Sequence, residues 1–101
     1  MRRRANNLSL NSSVKPANQT LIHYRQLGQS DLSISSVAMG CWPITGMTSL
    51  DVNEADSRAT LEAAANAGIN FFDSAYCYGK NGESERLIHQ ALGDRRGELV
   101  I

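Results

Sequence analysis

Acidic residues are missing from the first quarter of this chain. Residues 1–25 hold Arg2, Arg3, Arg4, Lys15 and Arg25 and no Asp or Glu, while residues 26–101 carry five basic and ten acidic groups, so the formal net charge is zero. A mildly acidic body excludes the broad basic face of a nucleic-acid binder. Cysteine is scarce: Cys41 and Cys77 stand far apart, which excludes a disulfide framework and a zinc-ligand spacing, and no metal site is expected. They read as two free thiols of a reducing cytoplasmic compartment. No apolar run approaches the ~20 residues needed to cross a bilayer, so no membrane partner is expected. No Gly-x-Gly-x-x-Gly is present, and Gly79-Lys80-Asn81-Gly82 lacks the spacing of a phosphate-binding loop. What remains, 101 residues at 42% hydrophobic and 20% charged, is the composition and size of one small globular unit.

The basic excess sits in residues 1–20, a stretch rich in Asn, Ser and Arg with only scattered apolar side chains, which predicts a disordered tail. The triple arginine is not followed by the continuous apolar segment of a secretion signal. The Asn-x-Ser/Thr triplets at Asn7, Asn11 and Asn18 therefore read as accidents of composition.

The body spans residues 21–101. Ile22 to Leu27 predicts a strand, Gly28 to Asp31 a turn, and Leu32, Ile34 and Ser36 alternate with Ser33 and Ser35 on a second strand, so the pair forms a hairpin. Val37 to Cys41 is a further short strand, broken at Trp42-Pro43. Asp51 is expected to cap a helix, with Glu54 completing a capping box. Ala55, Ala59, Leu61, Ala64 and Ala65 supply its apolar positions, and Gly68 with Ile69 behind it ends the helix. Ile69 to Asp73 reads as a buried strand that ends in a carboxylate. A loop at Gly79–Gly82 precedes a second helix from about Ser84 to Leu92, with Leu87, Ile88, Ala91 and Leu92 on its apolar face and Gly93 as its stop. Asp94 to Gly97 is a charged turn before a third strand beginning Leu99-Val100-Ile101. The order hairpin-β-α-β-α-β implies an α/β fold with a parallel sheet covered by helices.

The segment Gly68-Ile69-Asn70-Phe71-Phe72-Asp73-Ser74-Ala75-Tyr76-Cys77-Tyr78-Gly79 carries the chemistry. It ends an apolar strand in an ionisable group and follows it with two tyrosines. In parallel α/β folds the C-terminal ends of strands are where ligands sit. On residue types alone, a structural role is as well supported: Asp73 as a loop cap, Tyr76 and Tyr78 as rim packing.

This stretch resembles the aldo-keto reductase signature, a Gly-Ile-Asn-Phe-Phe-Asp-Thr-Ala-x-x-Tyr-Gly pattern, with Ser74 where Thr is common. Three further matches lie in register. Tyr24-Arg25-Gln26-Leu27-Gly28 with Leu32-Ser33-Ile34-Ser35 is similar to the family's opening hairpin. Met39-Gly40-Cys41-Trp42-Pro43 is similar to its Gly-x-Trp strand end, with Cys41 where Thr is frequent. Ser84-Glu85-Arg86-Leu87-Ile88 is similar to its Ser-Glu-x-x-Leu helix start.

The resemblance implies a (β/α)₈ barrel, NADPH or less often NADH as cofactor, and a small carbonyl or alcohol as substrate. It implies that Asp73 and Tyr78 are two members of an Asp-Tyr-Lys-His catalytic tetrad, and that Tyr76 occupies a variable position. It places Gly40, Cys41, Trp42 and Asp73 near the cofactor and Trp42 and Tyr78 near the substrate. The family's lysine would fall about three residues beyond Ile101, at the end of the third strand. Lys80, His23 and His89 match neither the lysine nor the histidine position, so residues 21–101 are expected to form the first part of a barrel that is inactive by itself. Non-catalytic relatives of the same fold, such as potassium-channel β-subunits, retain a similar Asp and Tyr, so a binding or regulatory role is the alternative.

Overall fold

The computed structural model describes residues 21–101; the tail expected to be disordered, residues 1–20, lies outside the described residues. The chain opens with an antiparallel hairpin of β1 (Tyr24–Gln26) and β2 (Ser33–Ser35), in which Tyr24 faces Ser35 and Gln26 faces Ser33. Its turn is closed by Leu27 N–H donating to the Leu32 carbonyl at 2.9 Å. Gly28 takes a left-handed φ of 58° there, a conformation that costs a side-chain-bearing residue energy.

The expected alternation along the second strand gives way to a different burial pattern. Ile34 and Ser35 are both buried, while Leu32 and Ser36 are exposed. Asn70 supplies the reason. Its Oδ1 accepts from Ser35 N–H at 2.7 Å, its Nδ2 donates to the Ser33 carbonyl at 2.9 Å, and its own N–H donates to Ser35 Oγ at 3.2 Å. Ser35 is buried because its polar atoms are paired, which removes the cost of desolvating them.

Strand β3 (Met39–Gly40) lies parallel to β4 (Phe72–Asp73), with Met39 beside Phe72 and Gly40 beside Asp73. Val100 extends the sheet on the far side of β4 through a parallel bridge to Phe71, in which Val100 N–H donates to the Asn70 carbonyl at 2.7 Å and Phe72 N–H donates to the Val100 carbonyl at 2.9 Å. The three parallel segments therefore lie in chain order. Each is shorter than the apolar run that predicted it, and the third strand is reduced to this bridge.

Helix α1 (Glu54–Asn66) connects β3 to β4. Its cap is Asn53, not Asp51. Asn53 Oδ1 accepts from Asp56 N–H at 2.9 Å and its Nδ2 donates to Asp56 Oδ2 at 2.8 Å. Both Asp51-x-x-Glu54 and Asn53-x-x-Asp56 satisfy the sequence pattern. Only Asn53 has the extended backbone that a cap requires, whereas Asp51 sits at φ 62°. The buried face is Ser57, Leu61, Ala64 and Ala65; Ala55 and Ala59, expected to lie on it, are exposed. Ser57 enters the core because its hydroxyl donates to the Ile44 carbonyl at 2.6 Å. The far end is as the sequence predicts: Gly68 N–H donates to the Ala65 carbonyl and Ile69 N–H to the Ala64 carbonyl, with Gly68 at φ 105°.

Helix α2 (Glu83–Leu92) buries Leu87, Ile88 and Leu92. Gly93 caps it, as expected. It stays right-handed at φ −57° with its N–H on the His89 carbonyl, and the expected charged turn is a 3₁₀ segment, Gly93–Glu98. Both helices pack on the sheet around one core of Cys41, Ile44, Leu61, Phe72, Leu87 and Leu92, with Ala64 and Ala65 letting α1 approach closely. Among the described residues no helix is long and apolar enough to cross a membrane.

Candidate active site

The parallel pairing of β3 with β4 sets the C-terminal ends of two strands side by side. Gly40 faces Asp73, and Cys41 N–H donates to the Asp73 carbonyl at 3.0 Å. Gly40, Cys41, Trp42 and Asp73 lie at this end. Asp73 is exposed, and an added Cβ at Gly40 would meet nothing within 4 Å, so the backbone there is open to a ligand. Trp42 leaves β3 with a helical backbone and leads into the 3₁₀ turn Pro43–Thr45, which keeps its indole 47% exposed above the strand end.

Tyr78 is carried by the loop between β4 and α2. Its ring stacks on Trp42 with centroids 6.2 Å apart and planes 26° from parallel, within the range of favourable aromatic pairing. Tyr78 is half-buried, whereas Tyr76 is 67% exposed and lies against Gly82. The two tyrosines thus have different surroundings.

Two residues outside the expected set hold this arrangement. Ser84, fully buried in the first turn of α2, donates to the Cys41 carbonyl at 3.3 Å through its hydroxyl, lies 2.9 Å from the Ser74 hydroxyl, and donates its N–H to the Tyr78 carbonyl at 3.3 Å. One small polar side chain therefore joins the end of β3, the residue after Asp73 and the loop that carries Tyr78. The Ser-Glu-x-x-Leu match marks Ser84 in the sequence but not this task. Met47 accepts from Trp42 Nε1–H and from Gly79 N–H, each at 3.0 Å; nothing in the sequence pattern signals it.

Cys41 is the member of the expected set whose side chain points inward. It has no solvent exposure, and its thiol lies 3.6 Å from the Met39 carbonyl, to which it donates. Burial, reinforced by the nearby Asp73 charge and opposed by the Ser84 hydrogen bond, pushes the thiol up to about 11. The exposed free thiol is Cys77. His23 is exposed in the hairpin and His89 is exposed on α2, both away from the strand ends.

The chain is similar in sequence and in fold to known proteins. The family model for the aldo/keto reductase family matches residues 36–101. A probable voltage-gated potassium channel subunit beta of Oryza sativa subsp. japonica is 41% identical over 83 residues, covering 79% of this chain and 24% of that protein. The aldo-keto reductase AMT2 of Alternaria alternata is 40% identical over 96 residues, covering 90% of this chain and 26% of that protein. In structure, an aldo-keto reductase from Bacillus halodurans in its holo form superposes with a TM-score of 0.68 at 30% identity, over 79% of this chain and 24% of that one. The chain spans about a quarter of the length of these relatives. Its hairpin and successive strand-helix units correspond to part of a (β/α)₈ barrel that the described residues do not close. Four motifs in register, a family model over most of the chain and a matching backbone together identify the chain as a member of the aldo-keto reductase family.

Proposed function

We propose that the protein to which these residues belong reduces small aldehydes or ketones to alcohols with NADPH, or less often NADH, and that Asp73 and Tyr78 are catalytic. The stacking of Tyr78 on the half-exposed Trp42, at the strand ends that bear Asp73, is the observation that carries this reading. The open backbone at Gly40, the indole face of Trp42 and the exposed Asp73 suit the nicotinamide end of such a cofactor, and in this reading the Cys41 main chain joins them while its thiol stays in the core. When bound, the cofactor supplies a hydride to the carbonyl carbon.

The protein residues handle the proton. Reduction leaves negative charge on the substrate oxygen, and the Tyr78 hydroxyl donates a proton to it as general acid. A phenol with an ordinary pKa near 10 is a slow donor and a worse base in reverse. A lysine ammonium beside it favours the phenolate, and a carboxylate such as Asp73 holds that lysine in place. No lysine of residues 1–101 matches the position that role requires, so the 101-residue chain alone is expected to turn over no carbonyl. Trp42 orients the substrate by offering one apolar face beside the hydroxyl. The two free thiols, one buried and one exposed, suit a cytoplasmic protein.

The likeness to potassium-channel β-subunits of rice and Arabidopsis thaliana supports a second reading, a binding or regulatory protein of the same fold. One experiment separates the two. NADPH oxidation is followed with a panel of aromatic and aliphatic carbonyls, using the longer protein that carries this chain. Carbonyl-dependent turnover is expected. Tight NADPH binding with no turnover on any carbonyl would favour the binding protein.

A further inference from the structure

Trp42, Met47, Gly79 and Tyr78 form a closed circuit at the mouth of the site. The Trp42 indole N–H and the Gly79 N–H both donate to Met47 Sδ at 3.0 Å; Gly79 follows Tyr78 in the chain, and the Tyr78 ring stacks back on Trp42 at 6.2 Å. Met47 belongs to the loop after β3, and Gly79 to the loop after β4. A single thioether therefore bridges the two loops that carry the aromatic pair.

Packing alone does not account for this contact. Met47 is 51% exposed and Trp42 47% exposed, so both N–H donors have water as an alternative partner, and a thioether is only a weak acceptor. Two donors converge on it because the backbone delivers them there. Gly79 has a left-handed φ of 75°, and the space where its Cβ would stand is filled by Glu83, so this turn has little freedom to move its N–H elsewhere. Trp42 is likewise directed by the 3₁₀ turn that follows it, with Thr45 Oγ1 donating to its carbonyl at 2.8 Å. The unbranched, polarisable Met side chain has the reach and adaptability to span them.

We propose that Met47 is a positioning residue: its sulfur fixes the orientation of the Trp42 indole and the Tyr78–Gly79 turn relative to each other, and so sets the shape of the substrate mouth. The consequence for turnover rests on the reductase reading; the structural clasp does not. Losing the acceptor shared by the Trp42 and Gly79 N–H groups should weaken substrate positioning without removing any reacting group. The effect should therefore appear as a rise in KM for the carbonyl, by about three- to tenfold, with a fall in kcat far smaller than that of Tyr78→Phe, because the hydroxyl donor remains.

The test uses the full-length protein and two variants. Met47→Leu keeps the bulk and removes the acceptor; Met47→Gln keeps the length and restores an acceptor oxygen. The Trp42 indole N–H resonance is assigned by its disappearance in Trp42→Phe, and its chemical shift and solvent exchange are measured together with steady-state kinetics. In Met47→Leu the resonance should move to the position of a water-bonded indole and exchange faster, and KM should rise. In Met47→Gln both should return towards the parent values. An unchanged indole resonance in Met47→Leu overturns the proposal, as does a change that Met47→Gln fails to reverse, since that would assign it to packing. A protein that shows the indole response but no carbonyl turnover would refute the reductase reading and leave the clasp standing.

Discussion

The main-chain N–H of Cys41 donates to the carbonyl oxygen of Asp73 at 3.0 Å. This bond comes one residue after the last strand pair, Gly40 with Asp73, and holds the Gly-x-Trp strand end against the strand end that bears the carboxylate. Residues more than thirty positions apart in the chain thereby share one rim, and Trp42, the next residue, is placed where Tyr78 can stack on it.

Tyr78 and Tyr76 should respond differently to loss of the hydroxyl. In the full-length protein Tyr78→Phe keeps the ring and its stacking on Trp42 and removes only the proton donor. We expect kcat to fall by about 10²–10⁴-fold with NADPH affinity nearly intact. Tyr76→Phe alters an exposed ring and should leave kcat within about twofold. Loss of activity in the Tyr76 variant alone would move the signature register.

The helix cap gives a stability test. Asn53→Ala removes the acceptor of the Asp56 N–H and should destabilise the fold by about 1 kcal/mol in urea unfolding. Asp51→Gly should be neutral or stabilising, because glycine relieves the left-handed φ of 62° and no cap is lost. A larger loss from Asp51→Gly than from Asn53→Ala would show that the cap had been assigned to the wrong residue.

Asn70 is the tether of the hairpin. Asn70→Ala removes two hydrogen bonds to main-chain atoms of Ser33 and Ser35 and leaves Ser35 N–H without its partner in a buried position. A loss of about 1–3 kcal/mol is expected. Amide exchange should rise first in Tyr24–Gln26 and Ser33–Ser35, and equal protection of the hairpin in the variant would mean that other contacts hold it.

Cys41 makes stability depend on alkaline pH. Its thiol is pushed from an ordinary value of 9.0 to about 11 in the fold, chiefly by burial. The folded state holds the proton more tightly than the unfolded state. This contribution is therefore whole below about pH 9 and is lost as pH rises through about 11. Replacing Cys41 by Thr should flatten the decline in unfolding free energy over that interval. A thiol reagent at neutral pH should label exposed Cys77 quickly and Cys41 only on unfolding; rapid labelling of both would contradict this burial.

The sequence by itself determined the order of elements, the C-terminus of α1 at Gly68 and the apolar face of α2, because each depends on nearby residues: a hydrophobic period, or a glycine where φ is positive. It also determined the family, through motifs whose residue types and spacing agree in four places. Degenerate local signals were resolved only by the fold. Two capping patterns overlap around Asp51 and Asn53, and the one whose backbone is extended captures the helix. Gly93 ends α2 as expected, but with a right-handed φ of −57° and a 3₁₀ segment behind it. Ala55 and Ala59 have the right polarity for the core but face away from it, while Ser57 turns inward to reach the Ile44 carbonyl. The tertiary structure alone decided which distant atoms meet: Asn70 with the hairpin, Ser84 with Cys41 and Tyr78, and Met47 with Trp42 and Gly79. A hydrogen bond depends on position and direction to within fractions of an ångström, and a linear pattern specifies neither until the chain has closed on itself.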